Sequence, residues 1–143
     1  MKEDYASFKT AMLLKEKGFD ETCYACYEYF ESGVTLFKGW PFEYKGKPVH
    51  NTNDRIKCPT LQMAMKWLRE THGIEVIIDV CKVGEGHRTM YAWTPVVVKE
   101  DRLEYPVSQT DGTVFGGLCD GYGQAVEKGI EYCLENLIQP SLH

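Results

Sequence analysis

Three stretches of the chain repeat apolar residues at helical spacing, and much of the remainder alternates or turns as strands and loops do. From about Tyr5 to Lys17, Phe8, Ala11, Met12 and Leu14 form one apolar side. Gly18 follows, placed to take the left-handed conformation that closes a helix, with Leu14 and Phe19 in the contact of a Schellman ending. From about Leu61 to His72, Leu61, Ala64, Met65 and Leu68 fall at i, i+3, i+4 and i+7. Thr60 is a natural N-cap and Gly73 a natural stop. From about Tyr122 to Ile138, an apolar side of Tyr122, Val126, Ile130, Cys133, Leu134 and Leu137 opposes a wet side of Glu127, Lys128, Glu131 and Glu135. Gly129 interrupts that helix, where Gly costs about 1 kcal/mol relative to Ala. Close packing against a neighbouring backbone would explain it.

Strand signals fill the gaps. The aromatic run Cys23–Phe30, the turn Glu31-Ser32-Gly33 and Val34–Phe37 predict a hairpin. Residues 39–59 are punctuated by Gly39, Pro41, Gly46, Pro48 and Pro59, which predicts a long irregular connection. Ile74–Val83 and Arg88–Lys99 flank Gly84-Glu85-Gly86-His87 and predict a second hairpin, with Pro95 at a bulge or an edge. A short strand is expected near Leu103–Tyr105. Residues 106–121 read as loop, with a scrap of strand at 113–115. The order is thus α-β-β-α-β-β-(β)-α. The expected class is α+β, a mainly antiparallel sheet with helices packed on one face.

The 143 residues suit one domain, 1–143. A net charge of −5 disfavours non-specific binding to nucleic acid. No apolar run is long enough for a membrane span, so no membrane partner is expected. Met1-Lys2-Glu3-Asp4 lacks the apolar core of a signal peptide, so the cytoplasm is the expected compartment. The six Cys then read as reduced, mostly buried thiols.

Three blocks carry a resemblance. Lys15–Glu21, then Pro59-Thr60-Leu61 with Lys66–Glu70 and His72-Gly73-Ile74, then Ala125–Ile130, resemble small uncharacterised proteins of phages and prophages of gut Bacteroidetes. The blocks cover the helices, about a third of the chain. That family has no assigned activity, so no site residue comes with the resemblance. It implies a phage gene expressed in the cytoplasm of a host bacterium.

Motifs with chemistry are few. Cys23-Tyr24-Ala25-Cys26 has redox spacing, but it sits in a strand-like run rather than at a helix N-terminus, and zinc would need two more ligands from scattered residues such as His50 and Cys58. Gly116–Gly123 precedes a helix, as an anion cradle would, but lacks both the P-loop Gly-Lys-Ser/Thr and the Rossmann spacing. It reads as a flexible loop with an N-cap. His72 and His87 read as solvated. Asp79, mid-strand, would hint at function if buried.

The most suggestive stretch is Lys38–Lys57. Trp40, Phe42 and Tyr44 alternate among Lys38, Lys45, Lys47, His50, Arg55 and Lys57. Rings that stack on a base beside cations that meet phosphate suit a nucleotide site. The same pattern suits a short strand with its aromatics on the core and its cations in water. The candidate ligand-binding residues are Trp40, Phe42, Tyr44, Lys45, Lys47 and Arg55. No catalytic residue, metal or cofactor is expected.

The leading expectation is a non-enzymatic binding or regulatory protein of phage origin, acting on a host protein or a small ligand. The alternative is a nucleotide-binding protein that sequesters a signalling nucleotide of bacterial defence. An enzyme of unknown class ranks last. Many aromatics on an acidic domain are compatible with a homo-oligomer, but no segment specifies one.

Overall fold

A computed structural model describes residues 4–38, 49–107 and 116–139. It contains three helices and two antiparallel sheets, in the order α-β-β-β-α-β-β-β-β-α. Trp40, Phe42, Tyr44, Lys45 and Lys47 lie outside the described residues, as does the strand expected at 113–115. The chain forms two compact units, Met1–Ala64 with Gln139–His143 and Met65–Ile138.

In the first unit, α1 (Phe8–Glu16) begins at Ser7, whose hydroxyl accepts from the Thr10 N–H at 3.2 Å. It ends as its sequence requires. Gly18 has φ +90°, its N–H donates to Lys15 O, and the Phe19 N–H reaches back to Leu14 O at 2.9 Å. These two bonds define a Schellman motif. Strands β1 (Cys26–Phe30), β2 (Gly33–Phe37) and β3 (Arg55–Lys57) follow in the sheet order β2-β1-β3. β3 lies where an irregular connection was expected. Its three residues pair with Glu28, Tyr27 and Cys26, and Ile56 is buried between charged neighbours.

Period-two alternation assigns the faces of this sheet. Tyr27 and Tyr29 point to α1, where both rings meet Phe8 edge-on at 5.5 and 5.6 Å. The Tyr27 hydroxyl donates to Ala6 O at 2.7 Å, which satisfies its polar tip. On the opposite face Glu28 accepts two hydrogen bonds from Arg55, at 2.9 and 3.1 Å.

Helix α2 (Leu61–His72) starts at Thr60, whose hydroxyl accepts from the Met63 N–H. The division between the units falls within it. Gly73 stops it at φ +65°, and its carbonyl then accepts from the Val98 N–H at 2.8 Å, which turns the chain straight into a sheet.

That second sheet is built on β4 (Ile74–Val83) and β5 (Arg88–Val98), with β6 (Leu103–Glu104) and β7 (Gly117–Cys119) both on the far side of β5. Pro95 pairs opposite Val76. Its missing N–H would point to the side of β5 where β7 pairs residues 91–93 and β6 pairs 97–98. Among the described residues neither strand reaches position 95, so proline leaves no ladder bond broken.

Helix α3 (Tyr122–Asn136) lies on the face of this sheet that carries Val76, Tyr91 and Trp93. Gly129 meets Val76 there. Its neighbour is thus a side chain and not the backbone that the sequence suggested. Ile130, Cys133 and Leu134 are fully buried. Asp79 is exposed, which removes the hint of a buried carboxylate.

Candidate functional site

The first unit contains a cleft of about 250 Å³, lined by Tyr5, Cys23, Tyr24, Ala25, Cys58, Thr60 and Met63. Its wall is made by local pairing of short segments. Tyr5 bridges Thr60, the Ala6 N–H donates to Pro59 O at 3.0 Å, and the Cys58 N–H donates to Ala25 O at 2.9 Å. The N-terminal segment, the run before β1 and the run before α2 therefore meet at one place. Cys23, Ala25 and Cys58 are buried, whereas Tyr24 is 55% exposed at the rim.

The lining is chemically soft and neutral. Cys58 Sγ donates to Ala6 O at 3.3 Å. Burial pushes the Cys23 thiol up to about 11, against the weaker pull of the Lys57 ammonium, so it is protonated at neutral pH. Burial also raises the Cys26 thiol. The Cys-x-x-Cys pair is therefore two inert thiols, one at the cleft and one on β1, without the lowered pKa that redox chemistry needs. No group of three or more His, Cys, Asp or Glu able to hold a metal ion exists among the described residues.

Two described residues of the aromatic and basic stretch, Lys38 and Val49, contact residues that line this cleft. Lys38 Nζ stands 5.5 Å from the centre of the Tyr5 ring. The Val49 N–H donates to Cys23 O at 2.7 Å. Of the six candidate residues only Arg55 is described, and its guanidinium engages Glu28 on the sheet. Lys57 Nζ lies 5.8 Å from the centre of the Phe19 ring.

The glycine-rich run before α3 is not a loop. Gly117–Cys119 is strand β7, and Gly116 and Gly117 let the Trp93 ring come close to the backbone. A Cβ on Gly116 would fall 2.0 Å from Trp93 Cζ3, and one on Gly117 3.1 Å from its Nε1. The following N-cap, Gly121, offers no side-chain bond. His72 also differs from expectation. Its Nε2 is buried with no hydrogen-bond partner among the described residues, and its ring meets Trp67 edge-on at 4.8 Å. Burial lowers its pKa.

The sequence pattern did not reveal Tyr5, Tyr24, Thr60 and Met63 as neighbours. Thr60 and Met63 share the start of α2, but Tyr5 and Tyr24 lie far from them in the chain and no periodicity links the three segments. The one signal was the pair of signals flanking them, the aromatic run and the Pro59-Thr60 cap. No protein-family model, no curated protein and no solved structure matches the chain. No described helix is long and apolar enough to cross a membrane.

Proposed function

We propose that the protein is a non-enzymatic binding protein of phage origin that captures a small ligand in the cleft of its first unit, in the cytoplasm of a host bacterium. One observation carries the ligand site. The cleft combines a buried, sulfur-rich floor with an exposed aromatic rim, and Lys38 and Val49 of the aromatic and basic stretch contact residues of its wall. An apolar concavity with a few polar groups at its rim is the usual form of a small-molecule site. Trp40, Phe42, Tyr44, Lys45 and Lys47 stay proposed ligand contacts on sequence grounds alone. Phage origin rests on the resemblance of the three helical blocks.

A thermal-shift screen of chemically diverse small molecules tests the proposal. A ligand at about ten times its Kd stabilises by about 1.4 kcal/mol, which raises Tm by about 3–5 °C in a chain of this size. Tyr24→Ala, at an exposed position, should leave Tm of the free protein nearly unchanged and abolish the shift. Hits that survive Tyr24→Ala unaltered would place binding elsewhere.

A further inference from the structure

We infer that the outer edge of β4 is a self-association surface, on which a second copy of this chain adds its own β4 antiparallel. The surface lies wholly within the second unit and depends on no property of the cleft.

Strand length and order set the first point. β4 is ten residues long and stands at the end of its sheet, with β5 as its one paired strand among the described residues. Its register with β5 runs unbroken from Ile74 to Val83, so no bulge bends it. It contains no proline. Proteins blunt exposed edges with short strands, prolines, bulges or charges, because an open edge is a template for another strand. The other side of the same sheet carries two of these devices. β6 and β7 are only two and three residues long, and Pro95 stands in the gap between them.

Backbone direction sets the second. The Val98 N–H donates to Gly73 O, and the Trp93 carbonyl accepts from the Gly116 N–H on the far side of β5. Such directions alternate along an antiparallel ladder. Residues 75, 77, 79, 81 and 83 therefore turn their N–H and C=O towards β5. Those of Ile74, Val76, Ile78, Val80 and Lys82 turn outward, where a further strand would receive them. Val80 is 66% exposed, and its cross-strand partner Tyr91 leads on to the exposed Tyr122.

Side-chain order names the occupant. With a two-fold axis at Ile78, residues 74–82 pair with themselves. Val76 meets the second copy's Val80, and Ile78 meets its own copy. Asp79 then stands opposite Ile77, Glu75 opposite Cys81 and Lys82 opposite Ile74, so no like charges face each other. An axis at Asp79 would set two Asp79 carboxylates side by side. One at Ile77 would set Glu75 against Asp79, and like charges directly opposite destabilise a strand pair. Shifts of two residues shorten the ladder. The strand is thus complementary to itself in one register, which brings Val80 out of water onto an apolar neighbour.

Sedimentation of the full chain from micromolar to near-millimolar concentration tests the inference. The mass should rise from 16.4 kDa towards twice that value. Over the same range the amides of Val76, Ile78 and Val80 should exchange their hydrogens more slowly, because a second strand takes them up. Val80→Pro removes an N–H directed away from β5, as Pro95 does on β5 itself. It should keep the fold and hold the mass at 16.4 kDa. Val80→Lys is the second variant should Val80→Pro not fold, and it should weaken association by roughly tenfold. A native chain that stays at 16.4 kDa throughout would overturn the inference and leave the edge to a strand of a different protein. A dimer that forms without slowing those amides, or that persists unweakened in the folded variants, would overturn it too, because association would then use another surface.

Discussion

Gly129 on α3 and Val76 on β4 approach so closely that a methyl group on the glycine would stand 2.4 Å from Val76 Cγ1. The contact fixes how deeply the helix seats on its sheet. In an open helix Gly→Ala would gain about 1 kcal/mol. Here Val76 is buried and overpacking costs about 1–3 kcal/mol, so the clash wins. Gly129→Ala should lower the stability measured by urea unfolding by up to about 2 kcal/mol. Adding Val76→Ala should recover part of the clash term, giving a double mutant more stable than the sum of the singles. Strict additivity would show that the two positions do not touch.

Trp93 and Gly116 stand in a similar relation. A Cβ at Gly116 would lie inside the indole's contact distance, so Gly116→Ala must displace the ring. The expected result is a folded protein with red-shifted tryptophan emission and a stability loss of about 2–3 kcal/mol. Unchanged emission and stability would mean that the ring does not lie on the glycine.

These two contacts show what was legible in the sequence. The first two helices were readable from caps, stops and spacing together, and α3 from its apolar spacing alone. Thr60 caps α2, Gly18 and Gly73 close α1 and α2, and apolar residues recur at one spacing. The hairpins were readable from turn residues between β-branched and aromatic runs. Gly129 announced a close contact but could not say with what, because its partner is 53 positions away in β4 by residue number. Glycines 116 and 117 misled for the same reason. A glycine that admits a phosphate and one that admits an indole look alike until the strand carrying Trp93 is known. The cleft was the least legible feature, since Tyr5, Tyr24 and Met63 converge only through three separate chain pairings.

The buried imidazole of His72 makes stability depend on pH. Burial lowers its pKa from the ordinary 6.5, so the folded protein binds the proton less readily than the unfolded chain. Its contribution is complete above about pH 6.5 and is lost as pH falls from there through the folded-state value. Urea midpoints measured between pH 8 and about pH 5 should fall more steeply for the native chain than for His72→Phe. Parallel curves would contradict the burial of Nε2.

Thiol reactivity gives an independent check on the cleft floor. Cys23 is pushed up to about 11 and Cys133 up to about 12, and burial raises Cys26 and Cys119 as well. Only the thiolate reacts with aromatic disulfide reagents. The native protein near neutral pH should therefore react slowly, starting with Cys81, the one thiol that is not buried. All six should react quickly in guanidinium. Fast native labelling of Cys23 or Cys26 would mean a redox-competent pair.

The most direct test of ligand capture is a titration of the isotope-labelled full chain with a hit from the thermal-shift screen, read from its amide resonances. A ligand in the cleft predicts saturable shifts at Tyr5, Cys23, Tyr24, Ala25, Cys58, Thr60 and Met63, all lost in Tyr24→Ala. Shifts confined to Gly116–Gly121 ahead of α3, or no shifts with any hit of the screen, would contradict it.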